Sequence, residues 1–307
     1  MRSRNAWLLA LGVVLGVLGI SAPLSARAQG IAVLKSPRIE PFAQALAGFI
    51  AACDNTITEY DLPGSPSQQK SVIKRMLAAN PTLILALGPA AAQVAKAEVQ
   101  DIPVVFFMVP NPHKFGLEGK NVTGISLDIP TETQFTLYKS LVPALQTLGV
   151  IYDPAKTSTL VADASRAART LGLQLLAAPV TSHKDVPAAL RSLLGKIDAL
   201  WMVPDDTVVT PISFDFLLLT AFEQRLPFLT VSEIFVEAGA LASLSPDYAE
   251  VGRQACQLAR EIERGRAAAL QVFPPTKVNL ALNLKAASKL GLTLPAEVIR
   301  SAAKVYQ

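Results

Sequence analysis

Eight short β-branched runs, in two sets of four, constrain this chain more than any other feature. The first set is "GIAVLK" (Gly30–Lys35), "TITEYDL" (Thr56–Leu62), "TLILALG" (Thr82–Gly88) and "IPVVFFMV" (Ile102–Val109). The second is "LGVIYDP" (Leu148–Pro154), "LQLLAAPV" (Leu173–Val180), "DALWMVPDD" (Asp198–Asp206) and "LPFLTVSE" (Leu226–Glu233). Longer stretches of helical period separate them, the pattern of a parallel sheet with crossover helices. In each set the third run ends at a proline that opens a helix. The fourth begins with an apolar residue and proline and ends in a polar loop. Two similar α/β lobes are the economical reading.

Runs so continuously apolar imply helices over both faces of each sheet. Ligands of such sheets sit outside the carboxyl ends of the strands. Two lobes facing each other at those ends would hold a ligand between them. The run "LWMVPDDTVV" (Leu200–Val209) then sets Asp205 and Asp206 on a cleft wall. Phe106, Phe107 and Trp201 fall inside strands and read as core.

The first 28 residues read differently. Arg2 and Arg4 precede an apolar run from Ala6 to Ile20, and Ala26-Arg27-Ala28 has the small-x-small pattern of a signal-peptidase site. The run is shorter than the roughly 20 residues a membrane anchor needs. Residues 1–28 are therefore expected to be a cleaved signal peptide, with Gln29 the mature N-terminus in the periplasm. No cysteine follows the run, which argues against a lipid anchor. Cleavage takes three of the 28 basic residues and none of the 24 acids. The balance of 25 against 24 leaves a net charge near +1 and no basic tract for nucleic acid.

The 307 residues are 51% hydrophobic and 17% charged, enough to fill sizeable cores. The catalytic classes lack parts. His113 and His183 are the only histidines, with no HExxH and no CxxC, so neither a metal nor another cofactor is expected. There is no GxSxG elbow and no phosphate loop. Adjacent acids on one loop cannot straddle a glycosidic bond. Cys53 and Cys256 are too few and too far apart for a scaffold and read as two buried thiols.

Further segments extend the pattern. "LILALGPAAAQVAKAEVQDIPVVFFMVPNP" (Leu83–Pro112), "GKNVTGIS" (Gly119–Ser126), "GALASLSPDYAEVGRQACQLAREI" (Gly239–Ile262) and "LNLKAASKLGLTLPAEVIRSAAKVY" (Leu282–Tyr306) join "LGVIYDP" and "DALWMVPDDTVV" in an order that covers nearly all of the mature chain. Together they resemble the ABC-transporter substrate-binding family that includes tryptophan-binding lipoproteins. The resemblance implies a type I periplasmic binding protein: two flavodoxin-like (Rossmann-like) lobes with parallel sheets and a ligand cleft at the hinge. It implies a first lobe of residues 29–125 plus 246–278 and a second of 126–245 plus 279–307. Hinge crossings are expected near Gly124–Ser126, Leu244–Pro246 and in Val278–Asn283. It also sets the helix from Asp247 to Arg264 on the same face of one lobe as that near Pro41–Cys53, where Cys53 and Cys256 could instead pair as a disulfide.

Within that frame the strand ends supply the candidate ligand contacts. Gly88, Ala90 and Ala91 open a helix whose free amides suit a carboxylate, although Gly88-Pro89 could simply start that helix. The family often has a hydroxyl residue beside this glycine, and this chain has none there. Asp205 and Asp206 could hold an ammonium group, Asp206 foremost; alternatively Asp206 or Thr207 caps a helix beginning near Val208. Weaker positions are Lys35 and Ser36, Asn111 and His113, Ser126 and Asp128, Tyr152 and Asp153, Ser232 and Glu233, and Asp247. Tyr152 and Phe235 could offer a face to a planar group. The expected protein is a monomer that binds a small molecule, an amino acid or similar zwitterion, and delivers it to an ABC permease in the inner membrane. A ligand-binding sensor component or a non-transport adaptor of the same fold stays open, and an exposed apolar patch away from the cleft would favour the adaptor.

Overall fold

The computed structural model describes residues 30–37, 40–265 and 271–307; the expected signal peptide lies outside them. The first series of elements is β1 (Ile31–Lys35), α1 (Glu40–Ala52), β2 (Ile57–Asp61), α2 (Pro66–Ala78), β3 (Leu83–Leu87), α3 (Pro89–Glu98), β4 (Val104–Val109) and β5 (Val122–Ser126). The second is α4 (Thr131–Leu141), β6 (Thr147–Tyr152), α5 (Pro154–Thr170), β7 (Gln174–Pro179), α6 (Val186–Leu193), β8 (Ala199–Trp201), α7 (Pro211–Glu223), β9 (Phe228–Thr230), α8 (Glu233–Glu237) and β10 (Ala242–Pro246). The chain ends with α9 (Tyr248–Glu263), β11 (Val272–Phe273), β12 (Val278–Asn283), α10 (Leu284–Lys289), α11 (Ala296–Ser301) and β13 (Lys304–Tyr306).

Two sheets form, in the orders β11-β5-β4-β3-β1-β2 and β13-β12-β10-β9-β8-β6-β7. The two lobes thus repeat one strand order, the flavodoxin-like arrangement. The inner strands β1, β3 and β4 are buried at every residue, whereas the edge strand β2 is mostly exposed. Prolines start four of the helices, at Pro66, Pro89, Pro154 and Pro211, where a missing N–H costs nothing. Phe106, Phe107 and Trp201 are core residues.

The segment Val278–Asn283 is not a crossing but a full strand, β12, which pairs antiparallel with β10. The third passage between sheets falls just before it. Among the described residues no helix is long and apolar enough to cross a membrane.

One helix ties the late chain to the early chain. α9 lies against α1 on one face of the first sheet, and the two backbones approach so closely that a Cβ on Gly252 would sit 1.9 Å from the Ala45 carbonyl oxygen. A Cβ on Gly48 would sit 2.1 Å from that of Ala249. Cys53 and Cys256 are joined across this contact, with Cα atoms 5.8 Å apart, inside the disulfide range. The two thiols expected from sequence are therefore a disulfide, because the fold brings together residues 203 positions apart.

Candidate functional site

On the first lobe the rim is made by backbone. Gly88 ends β3 at φ 86°, and a Cβ there would strike the Phe42 ring at 2.6 Å and Ser36 Oγ at 2.9 Å. Only glycine tolerates both the left-handed conformation and the crowding, and the turn it makes lets α3 begin at once. The Gly88 N–H donates to the Phe107 carbonyl, the Ala91 N–H to Ser36 Oγ at 2.9 Å and the Ala92 N–H to the Gly88 carbonyl. The Ala90 N–H is left without a partner among the described residues, on an exposed residue at the positive end of the helix dipole. The hydroxyl missing beside Gly88 is supplied by Ser36, at the end of the adjacent strand.

The end of β4 is strained. Its register shifts between Phe107 and Val109, and buried Met108 between them has φ 60°. Asn111 follows at φ 45°, capping the short 3-10 helix Pro112–Phe115. Two left-handed non-glycine residues in four cost free energy, and such strain gathers at functional rims. The Asn111 N–H donates to both oxygens of Asp128 at 3.0 Å, and Ser126 Oγ accepts from the Asp128 N–H at 3.1 Å. Desolvation raises the Asp128 pKa, against the pull of the Asn111 amide and the charge of His113. Asn111, Ser126 and Asp128 are thus brought together, largely bonded to one another. His113 pairs with Glu118, and Lys35 with Glu59 and Asp61 of β2.

On the second lobe the rim is made by side chains. Asp205 is 2% exposed and its carboxylate accepts three donors: the Asp153 N–H at 2.8 Å, Thr157 Oγ1 at 2.7 Å and the Thr207 N–H at 3.0 Å. Asp153 caps α5 through the Ala155 N–H and accepts from Thr207 Oγ1 at 2.7 Å. Those two bonds, the Thr207 one foremost, hold its pKa below the ordinary carboxylate value. Asp205 is therefore spent inside the lobe. Asp206 points the other way: its side chain is 84% exposed and meets Lys156 Nζ at 2.5 Å. That bond lowers the Asp206 pKa, and the charge of Lys114, on the first lobe, adds to the effect.

The helix expected near Val208 begins instead at Pro211, and its cap is Thr210, which accepts from the Ser213 N–H at 3.1 Å. Neither Asp206 nor Thr207 caps it, because the Asp205 turn occupies the intervening residues. Tyr152 is half-buried at the end of β6, and Ser232 sits at the cap of α8 without a bond from its side chain to the helix. Phe235 lies against Phe214, with ring centroids 4.4 Å apart. Asp247 caps α9 through the Glu250 N–H and pairs with Lys277 at 2.8 Å, away from the other candidates in role. Sequence reasoning passed over Lys156 and Thr157. Both follow Asp153-Pro154 in the first turn of α5, a strand-end position like those it did select.

A family model described as ABC transporter substrate binding protein matches residues 52–306. A tyrosine-binding protein of Clostridioides difficile (strain R20291) is 28% identical over 205 residues, 64% of this chain. The match spans 59% of that relative's length. Among solved structures, the ligand-free, open form of a substrate binding protein with adhesive properties from Clostridium difficile superposes with a TM-score of 0.75 at 22% identity. It covers 90% of this chain and 99% of that one. An ABC domain in complex with L-Trp from Streptococcus pneumonia gives 0.58 at 24% identity, covering 90% and 98%. Both share the fold.

Proposed function

The chain belongs to the ABC transporter substrate binding protein family, and from that premise we propose that it binds an amino acid or similar zwitterion between its lobes and presents it to a membrane permease. The observation that carries the zwitterion is the opposite polarity of two equivalent strand ends. After β3 the rim offers the Ala90 amide and the Ser36 hydroxyl, suited to a carboxylate; after β8 it offers the exposed carboxylate of Asp206, suited to an ammonium. Lys156 already shares Asp206, but an exposed ion pair is weak enough for a ligand ammonium to join or displace it. Gly88 and Ala91 shape the first seat, and Tyr152 and Ser232 border the second. The tyrosine-binding relative supports an amino acid with an aromatic side chain.

Binding contacts from both lobes would stabilise a closed form and so shift the population toward it. The disulfide supports an oxidising compartment, the periplasm, after removal of residues 1–28. The decisive experiment is thermal unfolding and calorimetry of residues 29–307, refolded to strip carried solute, with L-tyrosine, L-tryptophan, tyrosine amide and N-acetyltyrosine. A ligand of the folded state raises Tm by mass action. The reading requires a shift with a free amino acid that is lost when either end is blocked.

One observation favours a second reading, the adaptor: Ile212, Leu219 and Phe222 on α7 and Ile234 on α8 are exposed apolar side chains of the second lobe. A well-folded sample that shifts with no solute of any class would move the assignment there.

A further inference from the structure

The chain passes between the sheets three times, and at each passage the side chains change cores within a few residues. In the first, Leu127 packs with the α1–α9 side of the first lobe and Ile129 with the second lobe's core, leaving Asp128 between them. In the second, Leu244 belongs to the second lobe's core and Tyr248 packs on the first, with Asp247 at the cap of α9. In the third, Phe273 packs on the first lobe and the Thr276 N–H still bonds Gln254 of α9 at 3.2 Å, whereas Val278 packs on the second. The change-over there is Lys277.

The second and third passages are bonded to each other. The β10–β12 ladder ends with the pair Pro246 and Val278. The Asp247 N–H donates to the Lys277 carbonyl at 3.0 Å, carrying the ribbon one step beyond the sheet. Lys277 Nζ then reaches Asp247 Oδ2 at 2.8 Å, with side-chain exposures of 59% and 16%. The first passage differs, because the Asp128 carboxylate bonds Asn111 of the first lobe and neither of the other passages.

We propose that the Asp247–Lys277 pair is a strap that makes two of the three passages one stiff ribbon and leaves Asp128 as the pivot about which the lobes turn. Two backbones bonded side by side resist bending in their common plane, whereas a single peptide segment does not. A strap therefore narrows the range of ligand-free lobe orientations. If only some of those orientations can bind, narrowing the range raises the competent fraction. This last consequence rests on the solute-binding reading; the strap itself does not.

The test uses residues 29–307 carrying Lys70→Cys on α2 and Ala162→Cys on α5, both exposed positions. The native cysteines are paired, so spin labels attach to the new thiols alone. Pulsed electron spin distance measurements without ligand compare the parent with Lys277→Met and with Asp247→Asn, which keeps a capping oxygen for α9. The expected result is a wider interlobe distance distribution in each variant, no further widening when they are combined, and a parent-like distribution in Lys277→Arg. Circular dichroism and Tm should stay close to the parent. With L-tyrosine as probe, the strap variants bind roughly two- to five-fold more weakly, in step with the lost competent fraction. Unchanged distributions in folded Lys277→Met and Asp247→Asn would overturn the strap. L-Tyrosine binding to none of the proteins would instead count against the ligand reading, with the distance data still deciding the strap.

Discussion

β3 and β8 hold the same place in their sheets, each between the first strand of its lobe and the fourth, yet they end in opposite ways. Gly88 turns the first lobe's chain within one residue, and α3 follows with its amide end at the rim. The second lobe has no glycine there. Pro204 through Thr210 form a longer turn wound about the Asp205 carboxylate, which holds two backbone amides and a threonine hydroxyl. Backbone geometry therefore shapes one rim and a buried charge shapes the other. A rim made of amides presents positive polarity; one whose buried acid is saturated leaves the neighbouring acid, Asp206, free to face outward. The contrast extends to the outer layers, since the first lobe is closed by a disulfide-linked helix pair and the second by an added antiparallel strand.

The contrast can be broken from either side. Gly252→Leu drives a side chain into the Ala45 carbonyl and should cost on the order of 4 kcal/mol or more. Chemical denaturation should show the first lobe's transition displaced and the second lobe's kept, followed by tryptophan fluorescence of Trp201 in the second core. Cys53→Ala with Cys256→Ala should lower the same transition by roughly 2–5 kcal/mol, and reductant should do this to the parent and not to the variant. Asp205→Ala strands the Asp153 amide and the Thr157 hydroxyl, at a cost of about 3 kcal/mol in the second lobe alone. Its neighbour is the contrast: Asp206→Ala should move the denaturation midpoint far less, since only an exposed ion pair is lost, and weaken amino-acid binding at least about ten-fold, read by calorimetry.

The smallest effect separates the lobes by pH. The Thr207 hydroxyl and Ala155 amide depress the Asp153 pKa, and Lys156 depresses that of Asp206, so each folded value lies below the unfolded one. Their contribution to stability is present above the unfolded carboxylate value of about 4 and is lost as pH falls through the folded value. Asp128 has the opposite sign. Its raised value makes its contribution complete below the unfolded pKa and lost as pH rises through the folded one. Acidification toward about pH 4 should thus favour the first lobe at Asp128 while the second lobe holds, and stronger acid should weaken the second. A lobe-resolved midpoint measured against pH checks both signs.

Much of the scaffold was legible because strands and crossover helices leave local signatures. All eight β-branched runs are strands, and the proline after the third run of the first set, Pro89, opens a helix as the pattern suggests. The proline at 204 does not, because a carboxylate with partners about 50 residues away, Asp153 and Thr157, holds the chain in a turn. No local pattern reports a partner at that distance. β12 reads as a crossing in the sequence for a related reason: its antiparallel pairing with β10 is a property of the assembled sheet. For the rim, residue type located the positions, but which oxygen stays free depended on tertiary bonds. Asp205 and Asp206 are identical in sequence terms and opposite in exposure.

The α1–α9 contact also bears on the order in which the molecule can assemble. Residues 31–126 contribute five strands of the first sheet, but one face of that sheet is covered only in part, by α1, until residues 248–263 arrive. The second lobe's five parallel-order strands lie in one continuous stretch, residues 147–246. In a chain that emerges N-terminus first, the half made first is therefore finished late, and its disulfide closes a loop of 203 positions that encloses most of the other half. Such long-range closure is slow because its entropic cost precedes its reward. The second lobe waits as well, for β12 and the two helices after it, so neither half of the molecule is complete until the last residues arrive.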